Sequence, residues 1–163
     1  MFQSGKHIYK VFEHDYHKHS QGYVILGPPG IGKTTFVQNQ PGEKKNWVDS
    51  DDLLGDLGVN WHQNETEQND LKLNYLRADY ILEQSKLLGY RIIGSLFWDY
   101  QADAMVIPPL EEHRWYIHHR SDLDSENIDN MRNIFQEHAQ KWNIPIFESI
   151  LEAVAYLENQ KID

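Results

Sequence analysis

GYVILGPPGIGKTT, residues 22–35, is the stretch that decides the fold class of this chain. Its first part, residues 22–26, is a short apolar run of the kind that forms a buried parallel strand. Residues 27–34 then match the pattern G-x-x-x-x-G-K-[S/T] at every fixed position. Residues 33–40 continue as a predicted helix, which Pro41 and Gly42 end. A strand, a glycine-rich loop and a helix in this order predict a site that binds phosphate groups.

The fixed positions of this loop have distinct chemical roles. Its glycines allow a backbone turn in which successive N–H groups point at phosphate oxygens, and the following helix presents its N-terminus to the same anion. Lys33 reaches the β- and γ-phosphates, and the Thr34 hydroxyl is a ligand for Mg²⁺. The alternative is a chance match, against which the flanking strand and helix argue. We therefore predict that ATP binds with Mg²⁺ through the following residues: Gly27, Pro28, Pro29, Gly30, Ile31, Gly32, Lys33, Thr34 and Thr35.

Strand-like and helical segments alternate along the rest of the chain. The further predicted strands cover residues 46–49, 90–96, 104–107 and 144–147, and the further predicted helices cover residues 67–88, 110–120, 127–142 and 149–160. This alternation implies right-handed crossovers and a mainly parallel sheet with helices on both faces. The sequence therefore predicts a single α/β domain over residues 1–163, with residues 1–20 as an N-terminal edge strand or arm.

Carboxylates follow the second predicted strand, in the run Asp49-Ser-Asp-Asp52. If the extended conformation persists, Asp49 and Asp51 project to one side. One carboxylate would then orient or deprotonate an acceptor hydroxyl, and the other would hold Mg²⁺ through its water shell. The alternative is a solvated turn in which Asp51 or Asp52 caps the next helix. We favour the catalytic interpretation, with Asp51 as the first choice for the base or metal-linked carboxylate and Asp49 as the second.

The loop, the short chain and the Asp-x-Asp pair resemble the small P-loop kinases. This group includes nucleoside monophosphate kinases, shikimate and gluconate kinases and the kinase domains of polynucleotide kinases. Small phage-encoded nucleotide kinases are also similar, on the run Asp-Ser-Asp-Asp-Leu-Leu-Gly with residues 58–61 behind it. The resemblance implies a five-stranded parallel sheet in the order 2-3-1-4-5, an arginine-rich lid and transfer of the γ-phosphate to a hydroxyl or phosphate.

Carried over to this chain, the resemblance makes Lys33, Asp51, Asp49 and Arg120 the catalytic candidates, and Thr34 with Asp51 the metal ligands. Residues 110–127 become the candidate lid, in which Arg114 and Arg120 would neutralise charge on the transferring phosphoryl group. One departure matters, because the third strand ends without a carboxylate and Asp99 comes several residues later. This argues against a motor-type ATPase and leaves more of the metal binding to Asp51.

The composition of the chain limits the classes of partner that it is expected to bind. The chain has 163 residues, a formal net charge of −10 and no cysteine, which rules out disulfides, thiolate zinc sites and cysteine nucleophiles. An acidic surface disfavours strong binding of nucleic acid. No apolar run is long enough to span a bilayer. From these features we expect a soluble cytoplasmic protein, monomeric or homodimeric, without a membrane partner.

Three functions remain open on the sequence. The first is a kinase that transfers the γ-phosphate of ATP to a small nucleotide or nucleoside-like acceptor. The second keeps this chemistry but makes the acceptor a 5′-hydroxyl or modified base of DNA or RNA, with a local groove formed by Lys6, Lys10, Lys18 and Arg91. The third is an NTP-binding switch or a slow NTPase without a phosphoryl acceptor.

Overall fold

The computed structural model describes residues 15–56, 68–119 and 127–160. Its five strands are β1 (Tyr23–Leu26), β2 (Trp47–Asp49), β3 (Arg91–Gly94), β4 (Ala104–Val106) and β5 (Ile146–Phe147). The described helices are α1 (Lys33–Gln38), α2 (Ser50–Asp56), α3 (Gln68–Leu87), α4 (Leu110–His118), α5 (Ile128–Trp142) and α6 (Ile150–Glu158). Each strand predicted between residues 22 and 147 is confirmed, and each is shorter than predicted.

The strands form one sheet in which every pairing is parallel. Their order is β2-β3-β1-β4-β5, which confirms the predicted order. Val24 of β1 pairs with Ile92 of β3, and Ile25 pairs with Ala104 of β4. Strand β1 therefore lies at the centre of the sheet, and the chain leaves its carboxyl end between two neighbours. Ligands of open parallel sheets bind at such an edge.

Helices cover both faces of the sheet because the side chains of β1 alternate between two cores. Val24 and Leu26 pack on one face with side chains of α2, α3 and α5, among them Leu82. Tyr23 and Ile25 pack on the other face with side chains of α1 and α6. This is the three-layer α/β arrangement predicted from the sequence. Among the described helices, none has both the length and the apolar character to cross a membrane.

Several predictions fall outside the described residues. These are the edge strand before residue 15, Lys6, Lys10, residues 58–61 and Arg120. Within the described part of the N-terminal arm, Tyr16 forms a single parallel bridge with Lys45, just before β2. Two backbone hydrogen bonds make this bridge, from the His17 N–H to the Lys45 carbonyl and from the Lys45 N–H to the Asp15 carbonyl, both 2.9 Å long.

The first residue of helix α2, Ser50, packs closely against Gly94 of β3. Ser50 is fully buried beside Gly94, and its hydroxyl has no hydrogen-bond partner among the described residues. A Cβ atom on Gly94 would collide with the Ser50 hydroxyl and stand 2.6 Å from the Ser50 Cβ. Only glycine leaves room for α2 to start at this point, directly after β2.

Gly94→Ala is therefore expected to destabilise the fold by about 1–3 kcal/mol, the usual cost of overpacking a core. Urea unfolding measures this as a lower midpoint with an unchanged slope. Adding Ser50→Gly to Gly94→Ala removes the colliding side chain and is expected to recover part of the loss. A Gly94→Ala protein that unfolds at the wild-type midpoint would contradict the close approach.

Candidate functional site

The glycine-rich loop leaves the carboxyl end of β1 at the middle of the sheet. The Gly27 N–H donates a hydrogen bond of 3.0 Å to the Gly94 carbonyl, so the loop begins tied to β3. Gly30 and Gly32 have φ angles of 84° and 89°, in the left-handed region that favours glycine. Helix α1 starts at Lys33 directly after the second of these. The local order of strand, loop and helix is as predicted.

Two side chains of α1 border the loop. The Lys33 ammonium donates a hydrogen bond of 3.2 Å to the Pro28 carbonyl, which folds this side chain back over the loop. Thr34 is exposed, and its Oγ1 lies 3.5 Å from Oδ2 of Asp49 at the end of β2. The sheet edge therefore brings together a cation, a hydroxyl and a carboxylate, all three of them predicted site residues.

Asp49 is the carboxylate that the structure places beside Thr34. It is only 6% exposed. Its second oxygen, Oδ1, accepts a hydrogen bond of 3.0 Å from the Asp51 N–H in the first turn of α2. One oxygen thus caps a helix while the other faces the loop. The burial and both contacts give this side chain a fixed orientation.

The expectation that residues 49–51 remain extended is wrong, because α2 begins at Ser50. Asp49 and Asp51 therefore do not alternate along one strand. The alternative of a helix cap is correct in kind, but the capping residue is Asp49 rather than Asp51 or Asp52. Asp51 is exposed in the first turn of α2, and Asp49 takes its place as the carboxylate next to the predicted metal ligand Thr34.

Thr34 and Asp49 could together hold one Mg²⁺ ion beside the loop. Mg²⁺ binds oxygen ligands at about 2.0–2.1 Å in an octahedron, which places neighbouring ligands about 2.9 Å apart and opposite ligands about 4.1 Å apart. The 3.5 Å between Thr34 Oγ1 and Asp49 Oδ2 matches neither separation, so the pair suits an ion that Thr34 would bind directly and that Asp49 would hold through a bound water. Across residues 15–56, 68–119 and 127–160, no three His, Asp or Glu side chains group closely enough to hold a metal ion by themselves. Phosphate and water oxygens would supply the remaining ligands.

Asp99, the late carboxylate after β3, does not belong to this site. Its carboxylate accepts two hydrogen bonds of 2.8 Å from the Lys141 ammonium and one of 2.9 Å from the Trp142 indole. The hydrogen bond from Lys141 is the main reason that the pKa of Asp99 is lowered. Asp99 therefore joins the β3–β4 connection to the end of α5.

A buried histidine that the sequence reasoning missed touches the loop. His113 of α4 is fully buried, and its Nε2 lies 2.8 Å from the Pro29 carbonyl oxygen. Its Nδ1 lies 3.1 Å from Nη1 of Arg132, and the same Nη1 donates to the Pro108 carbonyl at 2.6 Å. The loop, the start of α4 and α5 are thus joined through one imidazole and one guanidinium.

The contacts of His113 define its protonation state. A carbonyl oxygen only accepts, so Nε2 carries the hydrogen and donates to Pro29. Burial lowers the pKa of His113, and the charges of Arg132 and Lys33 lower it further against the opposing effect of the Pro29 hydrogen bond. A neutral ring leaves Nδ1 as an acceptor for the Arg132 guanidinium. This arrangement satisfies both ring nitrogens.

The predicted lid is described only in part. Residues 110–118 form α4, as predicted, and His113 holds this helix against the loop. Arg114 is exposed on α4, and its charge contributes to a lowered pKa of Arg132, for which burial is the main cause. Arg120 lies outside the described residues. The structure therefore brings Arg114 to the neighbourhood of Arg132, a residue that the sequence reasoning did not single out.

A cavity of about 530 Å³ opens beside the loop. Gly32 and Thr35 border it on one side, and Tyr116 of α4 borders it on another. Ser149 and Ile150, at the start of α6, line the side that follows β5. Its volume lies in the range of small-molecule pockets. Among the predicted nucleotide-binding residues, Ile31, Gly32 and Thr35 line this cavity.

The chain was compared with protein-family models and with curated proteins. No protein-family model matches this chain, and a search of curated proteins found no match either. The arguments for its function therefore rest on the residues of the site.

Residue spacing could have drawn attention to His113 and Arg132. His113 lies between Leu110 and Ile117 on the buried stripe of α4, at helical spacing. Arg132 lies four residues after the buried Ile128 on α5. A titratable residue on an apolar stripe signals a buried polar contact. It does not reveal the partner, which comes from another part of the chain.

Proposed function

We propose that this protein is an ATP-dependent kinase that transfers the γ-phosphate to a small acceptor, a nucleotide or nucleoside-like molecule. The observation that carries the proposal is the contact between Thr34 and Asp49 beside the glycine-rich loop. A hydroxyl beside a buried carboxylate suits Mg²⁺ that is held partly through water, and the loop in front of them suits the phosphates that Mg²⁺ accompanies. The match of residues 27–34 to the P-loop pattern and the parallel sheet behind the loop support the same function.

The cavity beside Gly32 supports binding of the nucleoside part of ATP. It adjoins the loop, so a triphosphate on the loop would direct its ribose and base towards Tyr116. Tyrosine offers an aromatic face on which a base can stack. The side chain of Tyr116 is 41% exposed, which leaves part of this face accessible.

The chemistry assigned to the chain is an in-line displacement. The acceptor oxygen forms a bond to the γ-phosphorus while the bond from that phosphorus to the β–γ bridging oxygen breaks, and ADP leaves. Lys33 would hold the β- and γ-phosphate oxygens. Asp49 would orient Thr34 and the metal, which when bound neutralises phosphate charge. Asp51, exposed at the start of α2, would accept the proton of the acceptor hydroxyl.

The proposal is tested by incubating the protein with Mg²⁺ and γ-labelled ATP. Four panels of acceptors are offered: nucleoside monophosphates, nucleosides, small hydroxylated metabolites and 5′-hydroxyl oligonucleotides. We expect label on one of the first two panels. The rate should change little with salt, because a small acceptor lacks the counterion release of nucleic acids.

Three other results would each favour a different function. Label on oligonucleotides with a steep loss at higher salt would make nucleic acid the acceptor. Acceptor-independent release of phosphate would support a slow NTPase. No transfer to any panel, with ATP bound, would exclude the kinase for these acceptors and favour a nucleotide-binding switch.

A further inference from the structure

Arg132 is joined to the glycine-rich loop through the buried His113. Only one guanidinium nitrogen, Nη1, is used in its contacts with Pro108 and His113. Among the described residues, Nε and Nη2 have no hydrogen-bond partner. An arginine presents its donors as a planar fork that suits phosphate oxygens. One nitrogen of this fork is fixed, and the opposite charge felt at the guanidinium comes from Asp129 on the same helix.

The position of Arg132 depends on His113. The two contacts of the imidazole lie on opposite sides of the ring, so the ring spans the space between the Pro29 carbonyl and the guanidinium. Lys33 donates a hydrogen bond to the carbonyl of Pro28, which neighbours Pro29 in the same loop. The positive charge of Lys33 also contributes to the lowered pKa of His113, for which burial is the main cause. Lys33 of α1 therefore contacts this two-proline segment directly, and Arg132 of α5 is joined to it through His113.

We propose that His113 is a positioning residue that couples the glycine-rich loop to Arg132 and so holds this guanidinium beside the terminal phosphates of a bound nucleotide. Through Pro29, movement of the loop on binding phosphate is transmitted to Arg132. The inference rests on the proposed nucleotide binding, and it assigns to Arg132 the recognition of the γ-phosphate. It also explains why a polar side chain occupies the buried face of α4.

Matched variants separate the two contacts of His113. In His113→Gln, the amide N–H₂ reaches the place of Nε2 and keeps the donor to Pro29, but the acceptor for Arg132 is lost. In His113→Asn, the amide oxygen takes the place of Nδ1 and keeps the acceptor for Arg132, but the donor to Pro29 is lost. Arg132→Gln removes the cation, and Arg132→Lys keeps the charge without the planar fork.

The test measures equilibrium binding of Mg²⁺-ADP and of the non-hydrolysable ATP analogue adenylyl imidodiphosphate by the intact chain. We expect Arg132→Gln to weaken binding of the analogue by about 10- to 100-fold, the worth of hydrogen bonds to a charged group. Binding of ADP should change less than about threefold on the same scale. His113→Gln should reproduce this selective loss, and His113→Asn, which keeps only the contact with Arg132, should show a smaller loss that is still selective for the analogue. Urea unfolding of each variant accompanies the measurement.

The outcomes separate the inference from the function on which it rests. Equal losses for ADP and the analogue would make Arg132 and His113 structural supports of the loop, and would overturn the inference. Unchanged binding of the analogue by Arg132→Gln would overturn it as well. If the wild-type protein binds neither nucleotide, the proposed function fails and the inference fails with it. If one His113 variant does not fold, the other is still compared with the Arg132 variants, which should fold because Arg132 is only partly buried.

Discussion

Lys33→Ala is expected to reduce the rate of γ-phosphate transfer by about 10²- to 10³-fold, the loss seen when one fixed donor to a developing charge is removed. Lys33 is the only cation within α1, and it already lies over the loop through its hydrogen bond to Pro28. Alanine leaves the backbone N–H groups of the loop in place. Nucleotide binding should therefore weaken less than transfer.

Initial rates with the best acceptor from the four panels measure this effect. Lys44→Ala is the matched control, because Lys44 is an exposed lysine in the connection between α1 and β2. The control should transfer phosphate at the wild-type rate. Loss of the hydrogen bond to Pro28 should lower the free energy of unfolding by no more than about 1.5 kcal/mol. A Lys33→Ala protein with more than about a third of wild-type activity would contradict the assigned role. Such a variant would have an activation free energy less than about 1 kcal/mol above that of the wild type.

The central part of the fold was predictable because its signals are local. The apolar run of β1, the glycines of the loop and the helix-compatible residues of α1 are contiguous, so each supports the interpretation of the next. The strands that follow are short apolar runs between helical segments, which is typical of a parallel sheet. The order of the strands came from the resemblance to P-loop kinases, and the structure agrees with it.

The relative roles of Asp49 and Asp51 were not predictable, because they depend on the backbone conformation of a single residue, Ser50. An extended Ser50 would place Asp49 and Asp51 on one side, whereas a helical Ser50 separates them. The helix starts there because Gly94 of β3 leaves space for the Ser50 side chain. This is a contact between distant parts of the chain, and no periodicity near Asp49 reports it.

The contact between His113 and the loop was hidden for a related reason. The sequence places His113 on the buried stripe of α4, but the partner of that stripe is decided by how α4 packs. The partners prove to be a backbone carbonyl of the loop and a side chain of α5. A hydrogen bond to a backbone carbonyl cannot be inferred from the type of residue that carries the carbonyl. The proline at position 29 therefore gave no indication of a histidine partner.

Asp49→Asn and Asp51→Asn are expected to impair transfer in different ways, because only Asp49 contacts Thr34. Asparagine at position 49 keeps an oxygen that can cap α2, but it loses the negative charge that favours Mg²⁺. We expect its activity to need a higher concentration of Mg²⁺. Asparagine at position 51 removes the predicted base, so the rate at saturating Mg²⁺ should fall by about 10²- to 10⁴-fold. Its dependence on Mg²⁺ should match the wild-type dependence.

Titrations of the transfer rate with Mg²⁺ for each variant separate these effects, and Asp52→Asn serves as a control that neutralises the neighbouring carboxylate of α2. Asp49→Ala gives a second control, since it removes the cap and should lower the free energy of unfolding by about 1 kcal/mol, whereas Asp49→Asn should not. The reverse pattern, with a shifted Mg²⁺ dependence in Asp51→Asn alone, would exchange the two roles. Asp49 would then be the base, and its contact with Thr34 would serve to orient the carboxylate towards the acceptor.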